Sequence, residues 1–199
     1  MINHYNGFKA EKTAGNEPLP AGGYVAKILG AEVKSYSWGD VLNISFDITE
    51  GDYKNFFTDK YRSDTRDDKK WKGIFRINIP REDSPYAASE KAAFNNMIWA
   101  LETSNPGYRF DWDETKFKGK AVGVIFRDKE YYFNGKFGTT TECGQFTSLE
   151  EIRNGTFAPL PLKKLSKKDR EKMEAEQGAA KTQSSGLQVL DDSDGDLPF

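Results

Sequence analysis

The chain is poor in the residues on which many catalytic sites depend. It has one histidine, His4, in a polar N-terminal segment, and one cysteine, Cys143, among 199 residues. Catalytic triads, histidine-rich metal sites and disulfide bonds within the chain therefore lack their components. A lone cysteine is typical of a reducing compartment. No Gly-x-x-x-x-Gly-Lys-Ser/Thr loop is present, which argues against a P-loop ATPase.

The chain also lacks a long apolar segment. No run approaches the roughly 18 consecutive apolar residues that a membrane-spanning helix needs. The start, Met1-Ile2-Asn3-His4, has neither the basic residues nor the apolar stretch of a secretory signal. We therefore expect a protein that has no membrane partner and stays in the cytoplasm.

Net charge is almost absent from most of the chain. The formal charge of -2 hides a division, because the last nine residues hold four aspartates while residues 1–190 hold 29 basic and 27 acidic residues. A protein that coats nucleic acid through bulk charge needs a larger basic excess. Contact with nucleic acid would therefore depend on a local basic stripe and on aromatic stacking.

The last nine residues combine carboxylates with an apolar end. A proline limits the conformations of the last turn, a phenylalanine ring can be buried, and the terminal carboxylate can pair with an arginine or lysine. The aspartates steer the segment toward a basic partner. A solvated acidic tail is the alternative. The pattern favours a peptide that docks on another protein through Asp191, Asp192, Asp194, Asp196, Leu197, Pro198 and Phe199.

The end of this segment, Asp194-Gly195-Asp196-Leu197-Pro198-Phe199, resembles the acidic C-terminal tip of bacterial and bacteriophage single-stranded DNA-binding proteins. Gly195 between two aspartates and Leu197 in place of the commoner isoleucine are departures that keep charge and shape. Residues 18–24 are similar to the segment before the first strand in such proteins from phages of Gram-positive bacteria. The resemblance implies an OB-fold that binds DNA and a tip that docks helicase, primase, polymerase or recombinase components.

The first half of the chain predicts mostly strands. Residues 24–34 and 41–50 form two of them, and apolar and polar side chains alternate along the second. Gly30 interrupts the first strand, where a bulge would suit a barrel corner. Residues 53–61 follow a short turn, which predicts a third strand paired with the second. Residues 71–79 favour either a fourth strand or a short helix.

The second half predicts one helix and further strands. The spacing of Phe94, Met97, Ile98 and Leu101 predicts a helix over 89–102. Residues 121–127 predict a strand, Asn134-Gly135 predicts a hairpin turn, and residues 148–153 form a short amphipathic piece. This order fits a mainly β protein, an OB-fold-like five-stranded barrel with one inserted α-helix. SH3-like barrels and small α+β sheets have similar strand counts, so the tip is what favours the OB-fold.

Composition divides the chain into four parts. We predict an irregular lead-in over 1–19, an OB-like domain over 20–158, a charged and then flexible linker over 159–190, and the docking tip over 191–199. The linker and tip would form a disordered C-terminal tail. The basic run 163–172 is either an accessory nucleic-acid contact or a solvated helix face. The oligomeric state stays open, with a homo-oligomer among the alternatives.

Basic and aromatic residues are interleaved between Lys54 and Arg81, where nine basic residues stand against four acidic ones. Cations can follow the phosphates of a single strand while rings stack on bases, at about 1–3 kcal/mol for each base. Core packing is the alternative for each ring, because one of Phe56 and Phe57 must point inward in a strand. The candidates are Lys54, Phe56, Lys60, Tyr61, Arg62, Lys69, Lys70, Trp71, Lys72, Phe75 and Arg76.

Two loops supply further candidates. In an OB-fold the loops between strands one and two and between strands four and five flank the binding face. Trp38 lies in the first of these turns. The late hairpin contributes Arg127, Lys129, Tyr131, Tyr132, Phe133 and Lys136.

The sequence therefore predicts a single-stranded DNA-binding protein that protects exposed strands in replication, recombination and repair, in the cytoplasm of the bacterial host if a phage encodes it. It is expected to be no enzyme and to need neither cofactor nor metal. One alternative is an adaptor or decoy that uses the tip to occupy host replication-protein pockets without binding DNA. Another is a metal-dependent nuclease, although pairs such as Asp67-Asp68 and Asp111 with Asp113 are typical of surface loops.

Overall fold

The computed structural model describes residues 18–184, with side chains up to residue 176. Its strands are β1 (Gly22–Tyr36), β2 (Gly39–Ile48), β3 (Ile74–Asn78), β4 (Ala121–Phe133) and β5 (Lys136–Thr147). Its helices are α1 (Phe56–Ser63), α2 (Ala87–Ser104), α3 (Leu149–Asn154) and α4 (Lys167–Ser184), with a 3-10 turn at Glu114–Phe117. The predicted lead-in up to residue 17 and the predicted tip at 191–199 lie outside the described residues.

The five strands form one antiparallel sheet in the order β3-β2-β1-β4-β5. The sheet curls so that its two outer strands approach, and the rings of Phe75 on β3 and Phe146 on β5 stack with centroids 4.5 Å apart. Within residues 18–184 no ladder joins β3 to β5, and α2 packs across this opening. The predicted OB-fold-like five-stranded architecture with an inserted helix is confirmed, in a form that is not fully closed.

Several local predictions are confirmed by the register and the core. The pairing of β1 with β2 shifts between Ile28 and Gly30, which is the expected bulge. Asn134 and Gly135 have φ of 49° and 73°, the left-handed backbone that a tight hairpin turn requires. On α2 the buried side chains are Phe94, Met97, Ala100 and Leu101. The amphipathic piece is α3, which starts with a capping box between Ser148 and Glu151.

Residues 53–61 are not a strand, contrary to the prediction. They contain the first six residues of α1, which begins at Phe56 after Asn55 turns the chain with a φ of 62°. The place beside β2 is taken by β3, whose Phe75 lies opposite Ile44. The undecided segment 71–79 therefore supplies the third strand. Two adjacent phenylalanines suit either structure locally, so the pattern of apolar residues alone does not decide between them.

The N-terminus of α1 is capped from β2 by the buried carboxylate of Asp47, which is 6% exposed. Its oxygens accept hydrogen bonds from the backbone N–H groups of Phe57 and Thr58, each at 3.0 Å, and from the Thr58 hydroxyl. Asn55, at the N-cap position, makes no side-chain cap of its own. A carboxylate is favourable at this end of a helix, where N–H groups lack partners. One buried charge therefore attaches α1 to the sheet.

Gly73 allows the chain to pass from this helix into β3. Its carbonyl accepts a hydrogen bond from the backbone N–H of Phe46 at 2.9 Å. A Cβ at this position would lie 2.4 Å from the Phe46 carbonyl oxygen and 2.7 Å from the Phe57 ring. Only glycine lets the two segments come this close.

The segment after α3 differs from the predicted linker. Lys163 adds to the free edge of β4 by a parallel bridge to Lys129, and Leu165 is buried. Ser166 then caps α4, since its hydroxyl accepts from the backbone N–H of Asp169 at 3.1 Å. Helix α4 continues to Ser184, so the start of the region predicted to be flexible is helical. Within the charged run, the leucine at 165 and the serine at 166 are the sequence signals that indicate this ordered structure.

We expect Asp47→Asn to lower the free energy of unfolding by about 3 kcal/mol, because an NH2 group would then face N–H donors in a buried site. Urea unfolding followed by circular dichroism measures the loss. Asp59→Asn, on the exposed side of α1, is the matched control and should cost no more than about 0.5 kcal/mol. Equal losses in the two variants would contradict the capping role.

Candidate nucleic-acid interface

The α1–β3 connection, which we define as residues 53–73, brings most of the first candidate set together. The Lys60 ammonium lies 4.6 Å from the centre of the Phe56 ring, and that of Lys69 lies 4.8 Å from the Tyr61 ring. The rings of Tyr61 and Trp71 are 5.9 Å apart. These contacts place cations directly against rings, which is the combination that a phosphate chain with attached bases can use.

The rings of this set divide between core and surface. Phe75 is buried on the inner face of β3, so it packs in the core and is not available for stacking on a base. Phe57 is also buried, whereas Phe56 and Trp71 are half-buried and pack against the core. The Trp71 indole N–H donates to the Gly73 carbonyl at 3.0 Å. Tyr61 is the exposed ring of the set.

The exposed cations of the set form no ion pairs within residues 18–184. They are Lys54, Arg62, Lys70, Lys72 and Arg76. By contrast, Arg66 pairs with Asp64 at 2.6 Å, and its hydrogen bonds hold the pKa of that carboxyl at about 2. Burial lowers the pKa of Lys60. The unpaired cations are the ones that can exchange water for phosphate at little cost.

The hairpin formed by β4 and β5 from residue 127 to residue 142, which we call the ribbon, carries the second set. Arg127, Lys129 and Tyr131 alternate along one face of β4, as every second residue of a strand does. Tyr131 lies on Gly138, and Lys136 is exposed at the turn. Tyr132 belongs to the other face, where its hydroxyl donates to Glu176 of α4 at 2.7 Å. The structure thus separates Tyr132 from the rest of its set.

Three cations at the base of the ribbon share one carboxylate. Glu142 lies 3.0 Å from the Arg127 guanidinium, 3.0 Å from the Lys129 ammonium and 2.8 Å from that of Lys163. Burial alone raises the pKa of Glu142, but hydrogen bonds from Lys163, Lys129 and Arg127 outweigh it and lower the pKa to about 2. Arg127 is therefore partly neutralised, although the cluster as a whole keeps a positive charge.

Sequence reasoning missed three exposed rings in or near these sets, Tyr36, Phe137 and Tyr53. Tyr36 stacks on Trp38, with ring centres 5.2 Å apart and planes within 9°. Trp38 is 55% exposed, so the pair offers a ring face to solvent beside the β1–β2 turn. Phe137, opposite Tyr132 on β5, is also exposed. The alternation from Lys34 to Tyr36 is the signal that could have identified the first ring.

The register shows which sets lie together. Ala26 of β1 pairs with Ile48 of β2, and Gly22 pairs with Phe126 of β4, so the α1–β3 connection and the ribbon lie toward the same end of β1. Tyr24 joins them, since its ring lies 5.7 Å from that of Tyr53 and 5.8 Å from that of Phe126. Trp38 lies beyond the opposite end of β1. Arg76, which is opposite Asn43 of β2, lies between the two ends of the sheet.

Some candidate features lie outside the described residues or are absent from them. The docking residues from Asp191 to Phe199 and the histidine His4 lie outside the described residues. Between residues 18 and 184 no three histidine, cysteine, aspartate or glutamate side chains are grouped as metal ligands. The described helices include none that is long and apolar enough to cross a membrane.

Comparison with known proteins adds no family assignment. No model of a protein family matches the chain, and a search of curated proteins returns no match.

We expect Glu142→Gln to lower the free energy of unfolding by about 2 kcal/mol at pH 7, because three cations lose a shared partner in a partly exposed cluster. The folded-state pKa of about 2 lies below the ordinary 4.5. The wild-type advantage is therefore complete above pH 4.5 and is lost as the pH falls toward 2. Urea unfolding between pH 7 and pH 2.5 measures it.

The matched control is Glu174→Gln on α4, a glutamate for which the described residues provide no ion pair. Its stability should follow the wild type at each pH. A constant difference between wild type and Glu142→Gln across this range would contradict the charge cluster as its cause.

Proposed function

We propose that this chain is a single-stranded DNA-binding protein that coats and protects DNA during replication, recombination and repair, and that recruits partner proteins through residues 191–199. The observation that carries the proposal is the α1–β3 connection on an OB-like sheet. It sets the Lys69 ammonium against the Tyr61 ring, and it carries the unpaired Lys70 and Lys72 on either side of the half-buried Trp71 in the sequence. The resemblance of the C-terminal residues to the tip of such proteins supports it.

The arrangement favours single strands over duplex. Stacking on a ring needs an unpaired base with a free face, which duplex DNA does not offer. The near-neutral composition of residues 1–190 gives little general attraction to duplex phosphates. Lys70 and Lys72 flank Trp71 in the sequence, so phosphates on both sides of a stacked base can be neutralised.

The remaining parts of the proposal concern location and partners. We place the protein in the cytoplasm, of a bacterial host if a phage encodes it, where replication takes place. The acidic tip would dock a helicase, primase, polymerase or recombinase component that presents a basic pocket. The adaptor or decoy alternative shares the tip but predicts no binding to DNA.

We expect the full chain to bind a fluorescent poly-dT oligonucleotide far more tightly than a duplex of equal length, as measured by anisotropy. Lys70→Gln/Lys72→Gln should weaken binding and reduce the slope of log affinity against log salt by about 1.4, at about 0.7 for each phosphate contact on a single strand. Lys91→Gln/Lys118→Gln makes the same charge change on α2 and on the α2–β4 connection and should keep the wild-type slope.

The result that would contradict the proposal is an absence of binding to poly-dT at low salt. The adaptor alternative would then take its place. Equal slopes for all three proteins would instead show that DNA binds away from the α1–β3 connection.

We expect deletion of residues 191–199 to leave single-strand affinity unchanged or slightly higher, because four negative charges are removed from the chain. A peptide of the same nine residues should bind a basic replication protein, and Phe199→Ala should abolish that binding. Anisotropy with labelled DNA and with labelled peptide measures the two effects separately. Loss of DNA binding on deletion would assign the tip to the DNA site instead.

A further inference from the structure

Asn43, in the middle of β2, has a buried amide oxygen without a partner. The residue is 8% exposed, its Oδ1 is sealed from solvent, and no residue between 18 and 184 donates a hydrogen bond to it. Buried polar groups in native proteins are nearly always paired, and an exception calls for an explanation such as a ligand. The Asn43 side-chain oxygen therefore contributes no hydrogen bond to the described part of the fold.

The register places this amide on the outer face of the sheet. Leu42 and Ile44, on either side of it in sequence, are buried in the core, so Asn43 points the other way. It lies opposite Glu32 on β1 and Arg76 on β3. Both of those side chains are long and exposed, and Glu32 pairs with Lys34 at 2.8 Å. Asn43 thus lies on the outer face of the sheet between two exposed side chains of opposite charge.

The same face carries cations and rings in neighbouring rows. Lys34 lies opposite Val41, and Tyr36 lies opposite Gly39, one and two rows from Asn43 toward the β1–β2 turn. Lys34 is close enough to Arg76 for the two charges to repel. The stacked pair Tyr36 and Trp38 ends the series. A polar acceptor, two cations and an exposed ring face therefore line one path across β1, β2 and β3.

We propose that this face binds a nucleobase, with Asn43 Oδ1 accepting a hydrogen bond from a base that carries an exocyclic amino group. Arg76 and Glu32, which lie on either side of the amide, turn outward and uncover it, and Arg76 reaches a flanking phosphate. The next base stacks on the Tyr36 and Trp38 pair. The inference rests on the proposed function and deepens it, because stacking is indifferent to sequence whereas an amide contact distinguishes bases.

The expected preference is for cytosine over uracil. The cytosine amino group donates to the amide oxygen, whereas uracil presents a carbonyl oxygen at the same place. Oligonucleotides of dC and dU differ at this edge of the base without the methyl group of thymine. We expect dC to bind about fivefold more tightly than dU of equal length, as measured by anisotropy.

The decisive variant is Asn43→Leu, which has nearly the same shape and removes the unpaired oxygen. Because it removes an uncompensated buried polar atom, we expect a higher Tm together with about fivefold weaker binding to dC and loss of the dC over dU preference. A purely structural residue would lower the Tm when it is replaced. Opposite changes in stability and binding therefore identify a binding role.

Tyr108→Phe is the matched control. The Tyr108 hydroxyl is the other buried side-chain atom without a partner in the described part of the chain, and it lies on the α2–β4 connection. Its removal should also raise the Tm, while both oligonucleotides bind as they do to the wild type.

The outcomes separate this inference from the proposed function. If the wild type binds neither oligonucleotide, the proposed function fails and the inference fails with it. If the wild type binds and Asn43→Leu keeps the same affinity and the same dC to dU ratio, the inference is overturned while the function stands. A lower Tm for Asn43→Leu with unchanged binding would show that the amide serves the fold.

Discussion

The buried carboxylate of Asp47 is the interaction on which the candidate interface depends. It holds the first turn of α1 against β2, although nothing in the helix itself supplies a cap. Phe57 then reaches the core and contacts Phe46 and Phe126, while Phe56 and Tyr61 stay nearer the surface. Because one charge fixes the helix, the rings and cations of the α1–β3 connection keep a defined position that a free loop would not give them.

A single carboxylate also joins several elements in the ribbon. Glu142 gathers Arg127, Lys129 and Lys163, and so joins β4, β5 and the segment after the barrel. One carboxylate neutralises only part of the charge of these three cations, although the ribbon as a whole, with three basic and three acidic residues, has no net charge. The body thus keeps its net charge low while it leaves positive charge where rings are exposed. Local clustering of this kind can bind a single strand without the basic excess that would also attract duplex DNA.

Prediction from sequence succeeded where the signal is local. Strand alternation, the Asn134-Gly135 turn and the spacing of Phe94, Met97 and Leu101 each lie within a few residues. The cap of α1 lies ten residues upstream on another element, so the pattern of 53–61 did not reveal it. Phe75 was a candidate for stacking, but pairing with Ile44 turns its ring inward. The register that decides this is a tertiary property, and so is the burial of Asn43.

The two proposed modes of binding would have different consequences for specificity. In the proposed function, rings such as Tyr61 and Trp71 would accept any base, so the α1–β3 connection would cover a strand irrespective of sequence. The proposed contact with the Asn43 amide, on the outer face of β1, β2 and β3, would add a preference at one position of each site. Because one such contact is weak beside several stacked bases, the preference would influence where the protein binds on the strand without restricting which sequences it covers. A protein that must protect DNA of any sequence needs stacking contacts that are stronger in total than its base-specific contacts.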